Sequence, residues 1–291
     1  MTQNHPLAGE LLGIALEAAG AATELVHDER PDHLQVSTKS TSTDLVTEMD
    51  RASEALIRSV ITGARPGDRF IGEESATGEE ITTGDGPDLS GVTWWVDPID
   101  GTTNYVYDHP GYAVSIAAAV DGEVVAGVVA DPTHGRTYRA ALGAGAHCSD
   151  TLGRRRRDRR LTLGAAPSLD RALVATGFAY DAGRRGSQGA ILAGLLPRVR
   201  DIRRMGAAAL DLCSVAAGRV DAYYEAGLSV WDFAAGTLIA TEAGARVGDL
   251  TGAAVRAGSV LAAHPDLFDE LVRLLAELDP ASPTAAPDGR Q

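Results

Sequence analysis

Cysteine is nearly absent: Cys148 and Cys213 are the only two in 291 residues, and they lie far apart. No disulfide framework can be drawn through them, and Cys213, set in an apolar helical pattern, reads as a small core residue. No apolar run approaches the ~20 residues that a membrane-spanning helix needs. The opening Met-Thr-Gln-Asn-His-Pro-Leu-Ala-Gly-Glu has neither a basic segment nor an uninterrupted apolar one. A secretory signal is therefore not expected, and the expected compartment is the cytoplasm. Positive charge is in deficit: 26 Lys and Arg stand against 40 Asp and Glu, for a net charge of −14. That balance favours solubility and argues against a general nucleic-acid binder. There is no P-loop and no dinucleotide-binding glycine pattern, and the seven histidines fit no zinc spacing. No serine or cysteine stands with a partnered histidine, so a covalent intermediate is not expected.

What is present is an ordinary globular composition, 44% hydrophobic and 23% charged, in a chain long enough for a substantial core. Chemistry concentrates in Trp94-Trp95-Val96-Asp97-Pro98-Ile99-Asp100-Gly101-Thr102-Thr103. Val92 to Val96 is short, apolar and β-prone, and Pro98 cannot continue a central ladder, so the pattern predicts a strand ending at about Asp97. Asp100 is followed by small residues suited to a tight turn that opens a helix, where free N–H groups favour anions. Two carboxylates beside a phosphate-sized pocket conflict, by roughly 4 kcal/mol per pair at ~4 Å and an effective dielectric near 20. Hard divalent cations with oxygen ligands remove that conflict, and Mg²⁺ characteristically joins carboxylates, waters and phosphate oxygens.

Asp97-Pro98-Ile99-Asp100-Gly101-Thr102, with Gly72-Glu73-Glu74-Ser75 before it and Trp231-Asp232-Phe233-Ala234-Ala235-Gly236 after it, resembles the inositol monophosphatase family of Mg²⁺-dependent, lithium-sensitive phosphatases. The resemblance runs from about residue 39 to residue 263. It implies an α/β fold, the layered αβαβα sandwich of the inositol monophosphatase and fructose-1,6-bisphosphatase type, and a homodimer. It also implies two or three Mg²⁺ ions held by Glu73, Asp97, the Ile99 carbonyl, Asp100 and Asp232, with Glu73 bridging. Glu74 is expected to orient a metal-bound water. Glu73 and Thr102 would position the attacking water, and Asp50 matches the residue that pairs with that threonine and supports a further metal site. Gly101 and Thr102 N–H groups would hold the phosphate. Gly206, Ala207 and Ala208 match the segment beside the substrate ring, and Glu225 the acceptor of polyol hydroxyls, joined by Asp232.

Along the rest of the chain, residues 7–26 read as an amphipathic helix and 37–43 as a loop or hairpin. Asp44 to Asp50 reads as a helix opening, with Asp44 and Asp50 as cap or first-turn acids. Residues 77–91 form a candidate mobile flap. Strands are expected at 113–119, 124–130, 137–141, 172–176, 220–224 and 255–263, with Asp121-Gly122 closing the first hairpin and Asp131 as a turn residue. Helices are expected near 187–197, 206–217, 233–241 and 267–278. The run Arg154 to Arg160, interrupted by Asp158, reverses the charge locally and reads as a solvated hairpin, or as an anion or RNA contact. Two halves, 1–155 with most metal ligands and 156–279 completing the site, are expected in one compact body, followed by a disordered tail at 280–291.

The expected reaction is hydrolysis of a small phosphate monoester by metal-activated water, with myo-inositol 1-phosphate the leading substrate. Fructose 1,6-bisphosphate and histidinol phosphate are alternatives on the same metal core. An RNA- or protein-binding regulatory role, with secondary phosphatase activity, is the alternative of another class. Neither membrane nor nucleic acid is an expected partner of the leading reading.

Overall fold

A computed structural model describes residues 5–76, 91–150, 157–255 and 258–279. The flap segment at 77–90, Arg154 to Arg156 and the tail beyond 279 lie outside the described residues. Among those described, no helix is long and apolar enough to cross a membrane.

Alternation of side chains along the strands builds the layers. Strands β3 (Arg69–Gly72), β4 (Val92–Asp100), β5 (Ala113–Val120), β6 (Glu123–Asp131), β7 (Arg136–Ala141), β8 (Gly145–Asp150) and β9 (Arg157–Leu161) pair in that order. The β3–β4 pair is parallel and the others antiparallel. On one face Val114, Ile116 and Ala118 pack against α1 (Ala8–Thr23) and α2 (Glu48–Ala64). On the other, Ala113 and Ala117 meet α5 (Ala208–Ala216) and α6 (Val230–Glu242). Between these four helices in the chain come the short α3 (Thr102–Val106) and α4 (Ala182–Leu195).

The second sheet has the order β11-β10-β12-β14-β13, from β10 (Leu173–Thr176), β11 (Asp201–Arg203), β12 (Ala222–Leu228), β13 (Arg246–Gly248) and β14 (Gly258–Ala263). Tyr223, Val260 and Ala262 face α5 and α6, while Tyr224, Leu261 and Ala263 face α4 and α7 (Pro265–Leu278). The result is the αβαβα sandwich. Its middle helices are enclosed on both sides, which explains why 206–217 and 233–241 carry so many small apolar residues: a helix buried all round has no polar face to spare.

Several local boundaries differ from the sequence reading. Strand β4 does not end at Asp97; pairing skips Pro98 and Ile99 in a bulge and resumes at Asp100 opposite Ala113. Bulges are where a strand tolerates proline. Strand β12 runs past Glu225 to Leu228. Helix α2 starts at Glu48 rather than near Asp44. Thr47 is its cap: Thr47 Oγ1 accepts from the N–H groups of Met49 and Asp50, and Asp50 Oδ2 accepts the Thr47 N–H at 2.8 Å. Asp44 instead closes the β1–β2 hairpin (Val36–Thr38 and Leu45–Thr47) by accepting from Ser40 N and Oγ. The basic segment, from Arg157 on, is the edge strand β9 of the first sheet, where arginines discourage further pairing.

Thr47→Ala is expected to destabilise the metal-free fold by about 1 kcal/mol, the ordinary cost of losing a side-chain cap. Asp44→Ala should change the unfolding midpoint by much less. Urea denaturation of the two variants measures the difference, and an equal or larger loss for Asp44→Ala would contradict the cap assignment.

Candidate metal and phosphate site

The ends of β3 and β4, the starts of α5 and α6, and the middle of β12 converge on one cleft of about 500 Å³. Glu73, Asp97, Ile99, Asp100, Gly101, Thr102, Gly206, Ala208, Glu225 and Asp232 all line it. Asp50, Glu74 and Ala207 stand behind the wall. Asp50 is fully buried and its Oδ1 accepts the Thr102 hydroxyl at 3.1 Å. Ala207 packs beneath Gly101, within 3.3 Å of where a Cβ on that glycine would sit.

The turn after β4 explains the small residues there. Gly101 has φ 89°, and a Cβ on it would fall 2.9 Å from the Gly111 carbonyl and 3.0 Å from the Gly206 carbonyl. A side chain is excluded by conformation and by space alike. Asn104 holds the two neighbouring loops in place, donating from Nδ2 to the carbonyls of Gly111 at 2.7 Å and Met205 at 2.8 Å.

The electrostatics of the cleft are adverse. Burial, with Glu73, Asp100 and Asp232 close by, pushes the Asp97 carboxyl well up. Burial and Asp232 do the same to Asp100, against the N–H groups of Ala208 and Ala209, which donate to it at 3.2 and 2.7 Å. Asp232 is raised by burial and Glu73 while accepting the Ser229 N–H at 2.7 Å. Burial also raises Asp50, opposed by its bonds from Thr47, and Glu225, opposed by a 2.7 Å bond from the Tyr223 hydroxyl.

Lys39, the only lysine of the chain, reaches into this cluster. Its ammonium is 2.9 Å from Glu73 Oε1 and also bonds Glu74. Burial works to lower the Lys39 pKa, but the two glutamates outweigh it and hold the group charged. Glu74 is pushed up to about 7 by burial despite that contact. Sequence reasoning read 37–43, which contains Lys39, as a loop or hairpin and missed this role. Its uniqueness in an otherwise arginine-only chain was the available signal. Also missed were Phe178 to Asp181, Arg184 and Arg204 on the opposite rim, and Gly177, where a Cβ would collide with Glu225 Oε2 at 1.8 Å.

The donors fit a hard divalent cation: carboxylates and a backbone carbonyl, all oxygen, in surroundings that disfavour their charge. Among the described residues, no three His, Cys, Asp or Glu side chains stand in a metal-holding arrangement as they are. The hydrogen bonds explain this, since Asp100 turns to the start of α5, Asp232 to Ser229 N and Glu73 to Lys39. Cation binding there requires some of those bonds to be exchanged for ligation.

Residues 8–279 match the model described as the inositol monophosphatase family. An inositol-1-monophosphatase of Mycobacterium leprae is 46% identical over 276 residues, spanning 94% of this chain and 88% of its own. A protein named Nus factor SuhB, from Pasteurella multocida, is 40% identical across 90% of this chain and 94% of its own. The solved structure of Mycobacterium tuberculosis SuhB superposes with a TM-score of 0.77 at 42% identity, covering 95% of this chain and 99% of that one.

Every raised carboxyl binds its proton more tightly folded than unfolded. Their contribution to stability is therefore fully present below the ordinary carboxylate range, near ~4, and is lost as pH rises through the raised folded values. Asp97→Asn, which keeps an acceptor for the Ile99 N–H, should accordingly raise the melting temperature of the metal-free protein at neutral pH and flatten its pH dependence. Melting in a chelator from about pH 5 to about pH 8 reads both. A lower melting temperature in the variant contradicts this account.

Proposed function

The chain belongs to the inositol monophosphatase family, and from that premise we propose that it hydrolyses small polyol phosphates with Mg²⁺, myo-inositol 1-phosphate first among them. The observation that carries this reading is the cleft itself, where acids from three separated motifs meet a side-chain-free backbone turn at Gly101. Glu73, Asp97, the Ile99 carbonyl, Asp100 and Asp232 are the residues that would hold the cations. Divalent cations supply the positive charge that phosphoryl oxygens need as charge builds on them, and they make water more acidic.

The remaining groups orient the reactants. The Thr102 hydroxyl has a single proton and two acceptors in range, Asp50 Oδ1 at 3.1 Å and Ile99 O at 3.0 Å. With that proton committed to Asp50, the Thr102 oxygen accepts from a water and fixes its approach. Glu73 lies across the same wall and serves as its second acceptor. The Gly101 and Thr102 N–H groups hold phosphate oxygens, a contribution of local amides, since α3 has only five residues. Glu225 receives hydroxyls on the alcohol side: Tyr223 uses one of its oxygens and leaves acceptor capacity for the substrate. Gly206 and Ala208 give the ring a flat, small-residue wall. Homodimerisation and inhibition by Li⁺ belong to the same reading on family grounds.

A second reading, binding of RNA or a protein partner, draws on the exposed arginines of β9 and on the name of the Pasteurella relative. Against it, Asp158 interrupts the strand's positive charge, and Arg160 packs against Gly145.

Phosphate release is to be measured from inositol 1-phosphate, fructose 1,6-bisphosphate and histidinol phosphate, with and without Mg²⁺ and Li⁺. Mg²⁺-dependent release favouring inositol 1-phosphate is expected, and Asp97→Asn should lower kcat by at least about 10²-fold, the scale of losing one electrostatic group. Unchanged turnover in that variant would falsify its assignment as a ligand.

A further inference from the structure

Glu54 and Arg58 take no part in the reaction described above, yet both are built into the loop that carries Glu73. We infer that Glu54, braced by Arg58, is a positioning residue that sets the Gly72 to Ser75 loop for cation binding. The inference rests on the reading of the cleft as a metal-dependent phosphatase site.

Glu54 is 4% exposed and lies one turn beyond Asp50 on α2. Its Oε2 accepts the Glu74 N–H at 2.7 Å. The carboxylate also fills the space beside Gly72: a Cβ on that glycine would lie 2.2 Å from Oε2. One turn further, Arg58 donates to Ser75 Oγ at 2.6 Å and stands 3.8 Å from Glu54 Oε1. Its guanidinium covers the ring of Phe70, 4.2 Å from the centroid, on the strand that leads into the loop. Glu73 itself is tied to the sheet through its N–H and the Val96 carbonyl at 3.0 Å.

Every residue from Phe70 to Ser75 is thus touched by α2 or paired with β4. Asp50, Glu54 and Arg58 follow the i, i+4, i+8 spacing that places them along one helix face. Through Asp50 that face holds Thr102, and through Glu54 and Arg58 it holds both sides of Glu73. The two groups that must meet the same water are referenced to a single rigid element, the arrangement that keeps a site within a fraction of an ångström. An uncharged acceptor would satisfy the Glu74 N–H equally well; the carboxylate adds a hold on Arg58, which extends the support to Ser75.

Calorimetric titration of the metal-free protein with Mg²⁺ or Mn²⁺ tests this, with melting of the metal-free forms measured alongside. Glu54→Ala is expected to weaken cation affinity about 10- to 100-fold, the range found when a partner that orients ligands is lost. Glu54→Gln, which keeps an acceptor for the Glu74 N–H, should recover most of it. Ser75→Ala, which removes one hydrogen-bond partner of Arg58 and leaves Glu54 in place, should give a smaller loss in the same direction. In assays of wild type and Glu54→Ala, the Mg²⁺ requirement should rise while KM for the ester at saturating Mg²⁺ stays the same. Equal cation affinity in wild type and Glu54→Ala overturns the inference. So does a higher KM with an unchanged Mg²⁺ requirement. If Glu54→Ala does not fold, Gly72→Ala displaces the carboxylate without removing it, and unchanged affinity there is equally decisive. The affinity arm needs no substrate, so a wild-type protein that binds the cation but hydrolyses none of the esters overturns the phosphatase reading and leaves the positioning standing.

Discussion

Mutual repulsion among Glu73, Asp97, Asp100 and Asp232 is the constraint to which the rest of the site answers. Each is supplied by a different piece of secondary structure or a separate position in a bulge, and each is raised by, or raises, the others. The protein answers that repulsion only in part, with one lysine and with the N–H groups at the starts of α5 and α6. A core of alanines, glycines and stacked sheets surrounds the cleft and is rigid enough to hold the acids together regardless. Such an arrangement is costly in isolation; with cations bound as proposed it would become favourable, which would tie the fold's stability to its chemistry.

Most strands were legible because the apolar pattern is regular; the five layers came from the family resemblance, since periodicity carries neither strand direction nor sheet order. Asp121-Gly122 closes its hairpin with both φ values positive, 50° and 84°, as that dipeptide suggests. The acids, too, were legible as members of three motifs, and the cleft brings those motifs together. What could not be read was local competition. Asp44 read as a cap or first-turn acid in the sequence; the hairpin takes it for Ser40 instead, and Thr47 caps α2. Pro98 signals the end of a ladder, yet a bulge lets the same strand resume at Asp100, because pairing on β5 continues beneath it.

Short strands were missed for a related reason. Strands β8, β11 and β13 have three to six residues and weak alternation, and each is set by the strand it pairs with. Tertiary pairing decides such segments, and propensity does not. The rim from Phe178 to Arg184 was likewise silent, since its residues matter by location and carry no distinctive chemistry.

The bond between Asp100 and the Ala208 and Ala209 amides crosses the boundary between the two sheets. As the chain leaves a ribosome, Glu73, Asp97 and Asp100 emerge more than a hundred residues before the α5 amides that receive one of them. During that interval the first sheet carries its acids without the helix starts that relieve them. On the proposed assignment of ligands, a dication available to the nascent chain would meet an incomplete set until Asp232 has been made. On that assignment, tight cation uptake would mark the end of folding, when the second sheet has docked, and a chain ending before α6 would hold metal poorly.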